Sequence, residues 1–454
     1  MTTETDTALD VAERVLAIVR DRAGSEATEA EVNVTRGVSA LTRFANSFIH
    51  QNVSEDVSHV LLRVALDGRT ASSSLDGPTD DETLGRLVDN VLEAARVAPL
   101  DAGWPGLTPP VPAPDPDHWD DATAAAVPDD RATRVRAFVD AAGGLETAGY
   151  CSTTAIEVAF ANSAGHTATG RATEAALDGI ARTPTADSSR HKQSFRLADI
   201  DGGAAGRLAG ERAHAASNPV DLEPGRYEVI LAPGAVSDVL GFLAIYGFNG
   251  KAVEEHRSFV RLGEGQFDPA FSLRDDVLDP GMVGVGFDEE GTPRRRVDLV
   301  VAGMSSAILH TRRTAHAAGN AAESTGHAVE GGATWGALGG KLVVDAGNLD
   351  HDALIAGVER GIYVLDFWYT RILDPRTQVV SGLTRNGVWL IEDGKIARAL
   401  TNMRFTQSYA DALGPGAIRA IGSERELHVA GFGTDTLVPS LHLASWNFTG
   451  GAKG

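Results

Sequence analysis

Between Pro99 and Pro128 the chain reads PLDAGWPGLTPPVPAPDPDHWDDATAAAVP and holds eight of its 19 prolines. Each proline lacks an N–H and fixes its own φ, so this stretch can form neither a helix nor a central strand. It should run over the surface. Before it, Leu9, Ala12, Val15, Leu16 and Val19 recur at helical spacing over residues 8–23. Three segments then alternate apolar and polar residues, EVNVTRG (31–37), LTRFANSFIHQNV (41–53) and DVSHVLLRVALDG (56–68), and predict strands. Residues 80–97, DDETLGRLVDNVLEAARV, return to helical spacing with acids in the first turn, where the helix dipole favours them.

After the proline-rich stretch, DDRATRVRAFVDAA (129–142) predicts a helix, and TAGYCSTTAIEVAFANSAGHTATG (147–170) a hairpin turning at ANSAG. GGAAGRLAGERAHAAS (202–217) is a connecting helix that leads to a boundary near Asn218. A chain of 454 residues is too long for one ordinary core, so we expect two domains, 1–217 and 218–454. The order of elements in the first is α+β. From DLEPGRYEVILAP (221–233) onward come short β-branched runs with glycine-bearing turns: DLVVAG (298–303), GKLVVDAG (340–347), GIYVLDFWYTRILD (361–374), GVWLIEDGKI (387–396) and LTNMRFTQS (400–408). That spacing predicts a β-dominated second domain.

With 43% hydrophobic and 22% charged residues, this is the composition of a folded globular chain. The formal net charge of −22 repels phosphate backbones, so nucleic acid is not an expected partner. Lysine occurs only at 192, 251, 341, 395 and 453, which leaves no polylysine patch for a membrane surface. No apolar run reaches membrane-spanning length, and the acidic N-terminus is not a secretory signal. The single cysteine, Cys151, excludes an internal disulfide and a cysteine-rich zinc site, so a cytoplasmic location is expected.

Chemical motifs are sparse. A zinc-peptidase helix needs two histidines on one face and an adjacent glutamate, yet none of the 13 histidines is followed by Glu. Glu254, Glu255 and His256 are consecutive, so on a helix or a strand their side chains diverge. A solvated face or a structural hydrogen bond is favoured there over metal or acid–base work. His310 and His316 stand six apart, off any helical repeat, and are read as structural. GMSSA (303–307) lacks the last glycine of a nucleophile elbow, and Cys151 is read as a small core residue. The GVG of 284–286 and the GFG of 431–433 do not extend to a dinucleotide fingerprint, and no Walker A loop occurs.

The segments LEPGRYEVILAPGAVSDVL (222–240), VGVGFDEEGTPRRRVDLV (283–300), ESTGHAV (323–329) and GIYVLDFWYTRILDPRTQVVSGLTRNGVWLIEDGKIARALTNMRF (361–405) resemble, in this order, the TldD/PmbA family of peptidase-complex proteins. LTRFANSFIHQNVSEDVSHVLLRV (41–64) resembles that family's first domain, so the likeness spans nearly the whole chain. The resemblance implies an α+β subunit, with a mixed α/β N-terminal domain and a C-terminal domain built on a barrel-like, mostly antiparallel sheet. It also implies a heteromeric pair. The TldD-type subunit carries a metal-binding HExxxH helix and a cysteine ligand; the TldE/PmbA-type subunit carries neither; together they cleave unfolded or modified peptides in a closed chamber.

Carried onto this chain, the metal helix should follow LAPGAVSDVL, taken as strand and turn, within LGFLAIYGFNGKAVEEHRSF (240–259), its two histidine positions falling near Leu240 and Ile245. The cysteine-bearing loop should lie in AIGSERELHVAGFGTDTL (420–437), which has no cysteine. The chain thus resembles the metal-free subunit. No catalytic residue, metal ligand or cofactor is expected in it; zinc is expected in a TldD-type partner, and a peptide as the substrate. Within LDFWYTRILDP (365–375), Phe367, Trp368, Tyr369 and Arg371 are of the types enriched at interface hot spots. They are the candidates for peptide or partner contact, by strand addition to a sheet edge, with alternation turning half of them inward. Two other readings stay open: a homodimeric peptide-binding protein that stands alone, or a hydrolase using His256 with a distant carboxylate.

Overall fold

The computed structural model describes residues 6–24, 26, 28–319 and 322–451. Helix α1 (Ala8–Ala23) opens with a reciprocal capping box, in which Asp10 N–H donates to Thr7 Oγ1 at 3.2 Å and Thr7 N–H to Asp10 Oδ2 at 2.8 Å. Its buried stripe is Ala8, Val11, Ala12, Val15, Val19 and Ala23; Leu9 and Leu16 are only half-buried. Three strands follow, β1 (Thr28–Ala45), β2 (Phe48–Leu66) and β3 (Arg69–Asp76), and then α2 (Asp81–Val97).

Here the sequence expectation needs correcting, because three predicted strands are two long ones. LTRFANSFIHQNV is not one strand but the hairpin corner, turning at Asn46 and Ser47 with φ of +49° and +63°. Gly37, which looked like a break, lies inside β1, where any Cβ would collide with the Ala155 carbonyl of the neighbouring strand. It is a point of close approach rather than a turn.

Contrary to expectation the proline-rich segment holds one short helix, α3 (Asp121–Ala124), in its proline-free end, and its last proline opens α4 (Pro128–Ala141); β4 (Glu146–Asn162), β5 (Thr167–Arg182), β6 (Asp187–Ser194) and α5 (Gly202–Ala215) follow. The six strands form an antiparallel sheet in the order β3-β2-β1-β4-β5-β6. Val32 and Val34 pack against α1 and α2, while Phe44, Cys151 and Leu177 pack with α4 and α5. Cys151 is fully buried and its thiol is pushed up to about 12 by that burial, so it is an inert core group.

The proline-rich segment runs over the surface as expected, with only Thr108, His118 and Thr123 buried, but it is tied down along its length. Its carbonyls at Pro105, Gly106 and Leu107 accept from Arg312 Nη2, Thr108 Oγ1 donates to the Glu290 carbonyl at 2.6 Å, and Asp101 pairs with Arg313. A segment with few N–H donors still presents carbonyls, and Arg312 from the second half of the chain uses three of them, while Arg313 takes the Asp101 carboxylate. It is a strap between the two sheets.

The second half begins with β7 (Gly225–Leu231), α6 (Pro233–Tyr246) and α7 (Gly250–Glu254). Four short strands follow, β8 (Leu273–Asp275), β9 (Val297–Val301), β10 (Met304–Ser305) and β11 (Lys341–Val344), with α8 (Arg312–Ala318) and α9 (Gly332–Trp335) between β10 and β11 and α10 (His351–Ala356) after them. The chain ends with β12 (Arg360–Asp374), β13 (Val379–Glu392), β14 (Lys395–Ala399), β15 (Met403–Ser408), α11 (Tyr409–Ala412), β16 (Ile418–Ala430) and β17 (Thr434–Gly451). Strands β7, β12, β13, β15 and β17 close on themselves through the β17–β7 pairing, which makes a barrel-like ring. Among the described residues, β7–β12 and β11–β17 are the parallel strand pairs of this sheet and the others are antiparallel. The α+β class and the mostly antiparallel barrel-like sheet are therefore as expected. Helix α6 packs on β12, β16 and β17, and Phe367, Phe405, Tyr409 and Trp446 stack in the core beside it. Among the described residues no helix is long and apolar enough to cross a membrane.

Where the sheets meet, Glu31 of β1 is 4% exposed and accepts from Arg63 Nη1 at 2.5 Å, with Glu290 also near. Burial pushes its carboxyl up to about 7, against the pull of Arg63 and helped by Glu290. A folded value above the unfolded one means that Glu31 favours folding most below its unfolded value of 4.5, and that this contribution is lost as pH rises through about 7. Relative to Glu31→Gln, the wild type should therefore gain up to about 3 kcal/mol as pH falls from 7 to 4.5, read by urea unfolding of both proteins. A stability difference that does not change with pH would show Glu31 ionised throughout.

Candidate functional site

A cleft of about 1090 Å³ lies between the two sheets. One wall comes from β5, β6 and α5 and the other from the first turns of α6, from β12 and from β16. Pro233 at the first helical position of α6 lacks an N–H that would in any case go unpaired. Ala232 supplies no side-chain cap, and the carboxylate of Asp366 on β12 lies against that turn instead; a Cβ on Gly234 would collide with its Oδ1. Asp366 Oδ2 is fixed by Ser189 Oγ at 3.1 Å and Asn386 Nδ2 at 2.8 Å.

A second carboxylate, Glu426 of β16, joins the walls. Arg190 of β6 binds it through both guanidinium nitrogens, Nη1 to Oε2 at 2.6 Å, and Lys192 Nζ lies 3.4 Å from Oε1. Burial works to raise its pKa, but His428 and Arg190 outweigh that and hold the carboxyl far below the ordinary range. His428 and His191 face each other with ring centroids 5.1 Å apart, and burial holds His428 below the usual imidazole range. Asp238 of α6 accepts from Thr370 Oγ1 at 2.8 Å and Tyr409 Oη at 3.1 Å; burial nonetheless pushes it up to about 6. These carboxylates are occupied by partners that tie elements together.

The four candidate contact residues divide. Phe367 is buried, with ring centroids 4.5 Å from Phe405 and 5.1 Å from Trp446. Trp368 and Tyr369 are 51% and 66% exposed, because the β12–β13 register slips between Trp368 and Arg371 and Tyr369 takes a φ of +56°. That bulge breaks the expected alternation and turns two consecutive aromatics outward. Arg371 lies over the Tyr369 ring at 5.3 Å and Arg385 over Trp368 at 5.5 Å. Strand β7 accompanies β12 only from Gly361 to Val364; from Leu365 to Arg371 β12 pairs with β13 and lines the cleft, with Gly234 and Asp238 of α6 lying against Asp366 and Thr370.

The triplet Glu254, Glu255 and His256 is exposed at the end of α7. Glu255 pairs with Lys251 and Arg257, and the His256 carbonyl accepts from Arg376 Nε at 3.0 Å. His310 lies within hydrogen-bonding distance of Thr314 Oγ1 at 3.2 Å, and His316 is exposed and apart from it.

The helix expected over 240–259 begins instead at Pro233 and ends at Tyr246, so LAPGAVSDVL is strand end and helix start rather than strand and turn. Leu240 and Ile245 are 0% and 5% exposed within α6, offering no donor atom. Among the described residues no three His, Cys, Asp or Glu side chains form a group that could hold a metal ion, and Glu426 is engaged by two cations. These residues do not fit zinc.

Arg190, His191, Arg212, Asp366, Glu426 and His428 were not foreseen as cleft residues. The i, i+2 spacing of Glu426 and His428 in ERELHV was a usable strand signal; SSRHKQS was too polar to be recognised as the strand β6 that presents Arg190.

Family comparison agrees with this architecture. Residues 224–450 match the model of the PmbA/TldA metallopeptidase C-terminal domain, and residues 30–95 that of PmbA/TldA metallopeptidase domain 1. No curated protein matches the chain. Among solved structures, TldE from Thermococcus kodakarensis superposes with a TM-score of 0.84 at 18% identity, covering 96% of this chain and 100% of that one. A protein named as a candidate modulator of DNA gyrase from Thermotoga maritima gives 0.82 at 17% identity, covering 98% and 100%. One so named from Bacteroides thetaiotaomicron gives 0.82 at 20%, covering 99% and 100%. At these identities the likeness is one of fold.

Proposed function

Because the chain belongs to the PmbA/TldA (TldD/PmbA) metallopeptidase family, we propose that it is the metal-free, non-catalytic partner of a TldD-type subunit, in a heteromer that cleaves unfolded or modified peptides in a closed cytoplasmic chamber. The observation that carries this reading is α6, where Leu240 and Ile245 are core residues at the positions expected to ligate a metal in an active sister. Zinc and the HExxxH helix are then the partner's.

The contribution of this chain is to hold peptide. From Leu365 to Arg371 β12 lines the cleft with β13 as its strand partner among the described residues, and it is here that an extended backbone would pair as an added strand, whatever its side chains. The exposed rings of Trp368 and Tyr369 lie in that stretch and offer contact area at low entropic cost. Such recognition selects extended chains over folded ones, since only an extended segment has its N–H and C=O groups free.

The test is metal analysis and a peptidase assay of the purified chain, alone and after mixing with an HExxxH-bearing partner from the same host. Alone it should hold no stoichiometric zinc and cleave nothing; the mixture should hold zinc and cleave peptide. One tightly bound zinc per isolated chain, lost on His256→Ala, would refute the reading and favour the hydrolase.

A further inference from the structure

Arg212 of α5 lines the cleft, and its guanidinium has no hydrogen bond or ion pair among the described residues; its Nη1 is buried without a partner. Of the other charges lining that wall, Arg190 is engaged by Glu426 and Asp178 by His191 at 3.5 Å, while the exposed Glu211 has no ion pair among the described residues. Around Arg212, Tyr363 and His351 pack edge to face with centroids 5.3 Å apart, and no described residue accepts from the Tyr363 hydroxyl. Leu208, Leu349 and Leu354 complete an apolar lining at this end. The acids nearby, Glu211 on α5 and Asp350, Asp352 and Glu424 around His351, make no ion pair with Arg212. A partly buried guanidinium beside a free phenol and an apolar recess lacks one thing, a planar acceptor.

We propose that this end of the cleft binds the free C-terminal carboxylate of a peptide, with Arg212 as the bidentate donor, Tyr363 as a supporting donor and the leucine recess taking an apolar terminal side chain. The inference rests on the cleft holding extended peptide, and it adds a polarity. A chain paired along β12 would run with its C-terminus toward α5. An acidic side chain presents the same carboxylate, but it carries no apolar group to fill the recess, so the terminus is the better match.

The experiment is fluorescence anisotropy of the full-length chain with three labelled peptides of one length: one ending in leucine with a free carboxylate, its C-terminal amide, and an amidated version with a penultimate aspartate. The free acid should bind about tenfold or more tightly than its amide, the scale of a charge-assisted bidentate pair. Arg212→Gln should erase that ratio while leaving the affinity for the amide and the melting temperature unchanged, and Arg212→Lys should restore part of it. Equal binding of acid and amide by the wild type would overturn the carboxylate site while leaving the peptide cleft standing. The amidated aspartate peptide matching the free acid would overturn the terminal assignment. No binding of any of the three would remove the peptide-cleft reading itself.

Discussion

Arg190→Met is expected to destabilise the chain by about 3–5 kcal/mol, because it removes the main partner of a carboxylate already withdrawn from water. The side chains of Arg190 and Glu426 are 11% and 18% exposed, and they join β6 of one sheet to β16 of the other. Lys192 is further off and half in solvent, so it cannot replace a fork that donates twice. The pair's value has a pH signature. Glu426 is held far below its unfolded value, so its stabilisation is present above that value of 4.5 and is lost only as pH falls through the folded pKa. The deficit in Arg190→Met should be constant from about pH 6 to 8 and shrink below about pH 4, where the stranded carboxylate takes a proton. Urea unfolding across this range measures it. Arg190→Met with Glu426→Met should recover most of the loss; if the double variant is as unstable as the single one, the cost lies in packing rather than in a stranded charge.

The same pair shows where sequence reasoning stops. Its members are 236 residues apart and belong to no motif, and β6 was invisible because SSRHKQS has too little apolar patterning to stand out. Local chemistry was legible where it is self-contained. Thr7 and Asp10 mark the start of α1, and the alternation of Val32 and Val34 marks the buried face of β1. The turn at Asn46 and Ser47 was missed because it has no glycine, while Gly37 drew the break to itself although its role is to let β4 approach. The prolines kept residues 99–120 free of helix and strand, but not the short α3 at 121–124, and they said nothing of Arg312, which binds three of the segment's carbonyls. At the cleft, the sequence could show which donors a metal site would lack. It could not show that α6 starts at Pro233, since the helix start depends on Asp366 arriving from β12.

Phe367→Ala should cost about 3–5 kcal/mol, whereas Trp368→Ala and Tyr369→Ala should each change stability by no more than about 0.5 kcal/mol. Phe367 is wedged between Phe405 and Trp446 inside the barrel, and truncation leaves a void that those rings, themselves held by Tyr409, cannot collapse into. Its neighbours stand in solvent over a bulge and lose little packing when cut back. In binding the ranking inverts. If this stretch of β12 takes up extended peptide, Trp368→Ala and Tyr369→Ala should weaken peptide binding by about tenfold or more with melting temperatures unchanged, the behaviour of exposed aromatic anchors. Three single variants, each followed by urea unfolding and peptide anisotropy, separate the two roles that adjacency in sequence had merged. Unaltered peptide affinity in both exposed-ring variants would move the recognition surface off this strand, and a Phe367→Ala protein as stable as wild type would mean that the barrel core repacks more freely than its stacked rings allow.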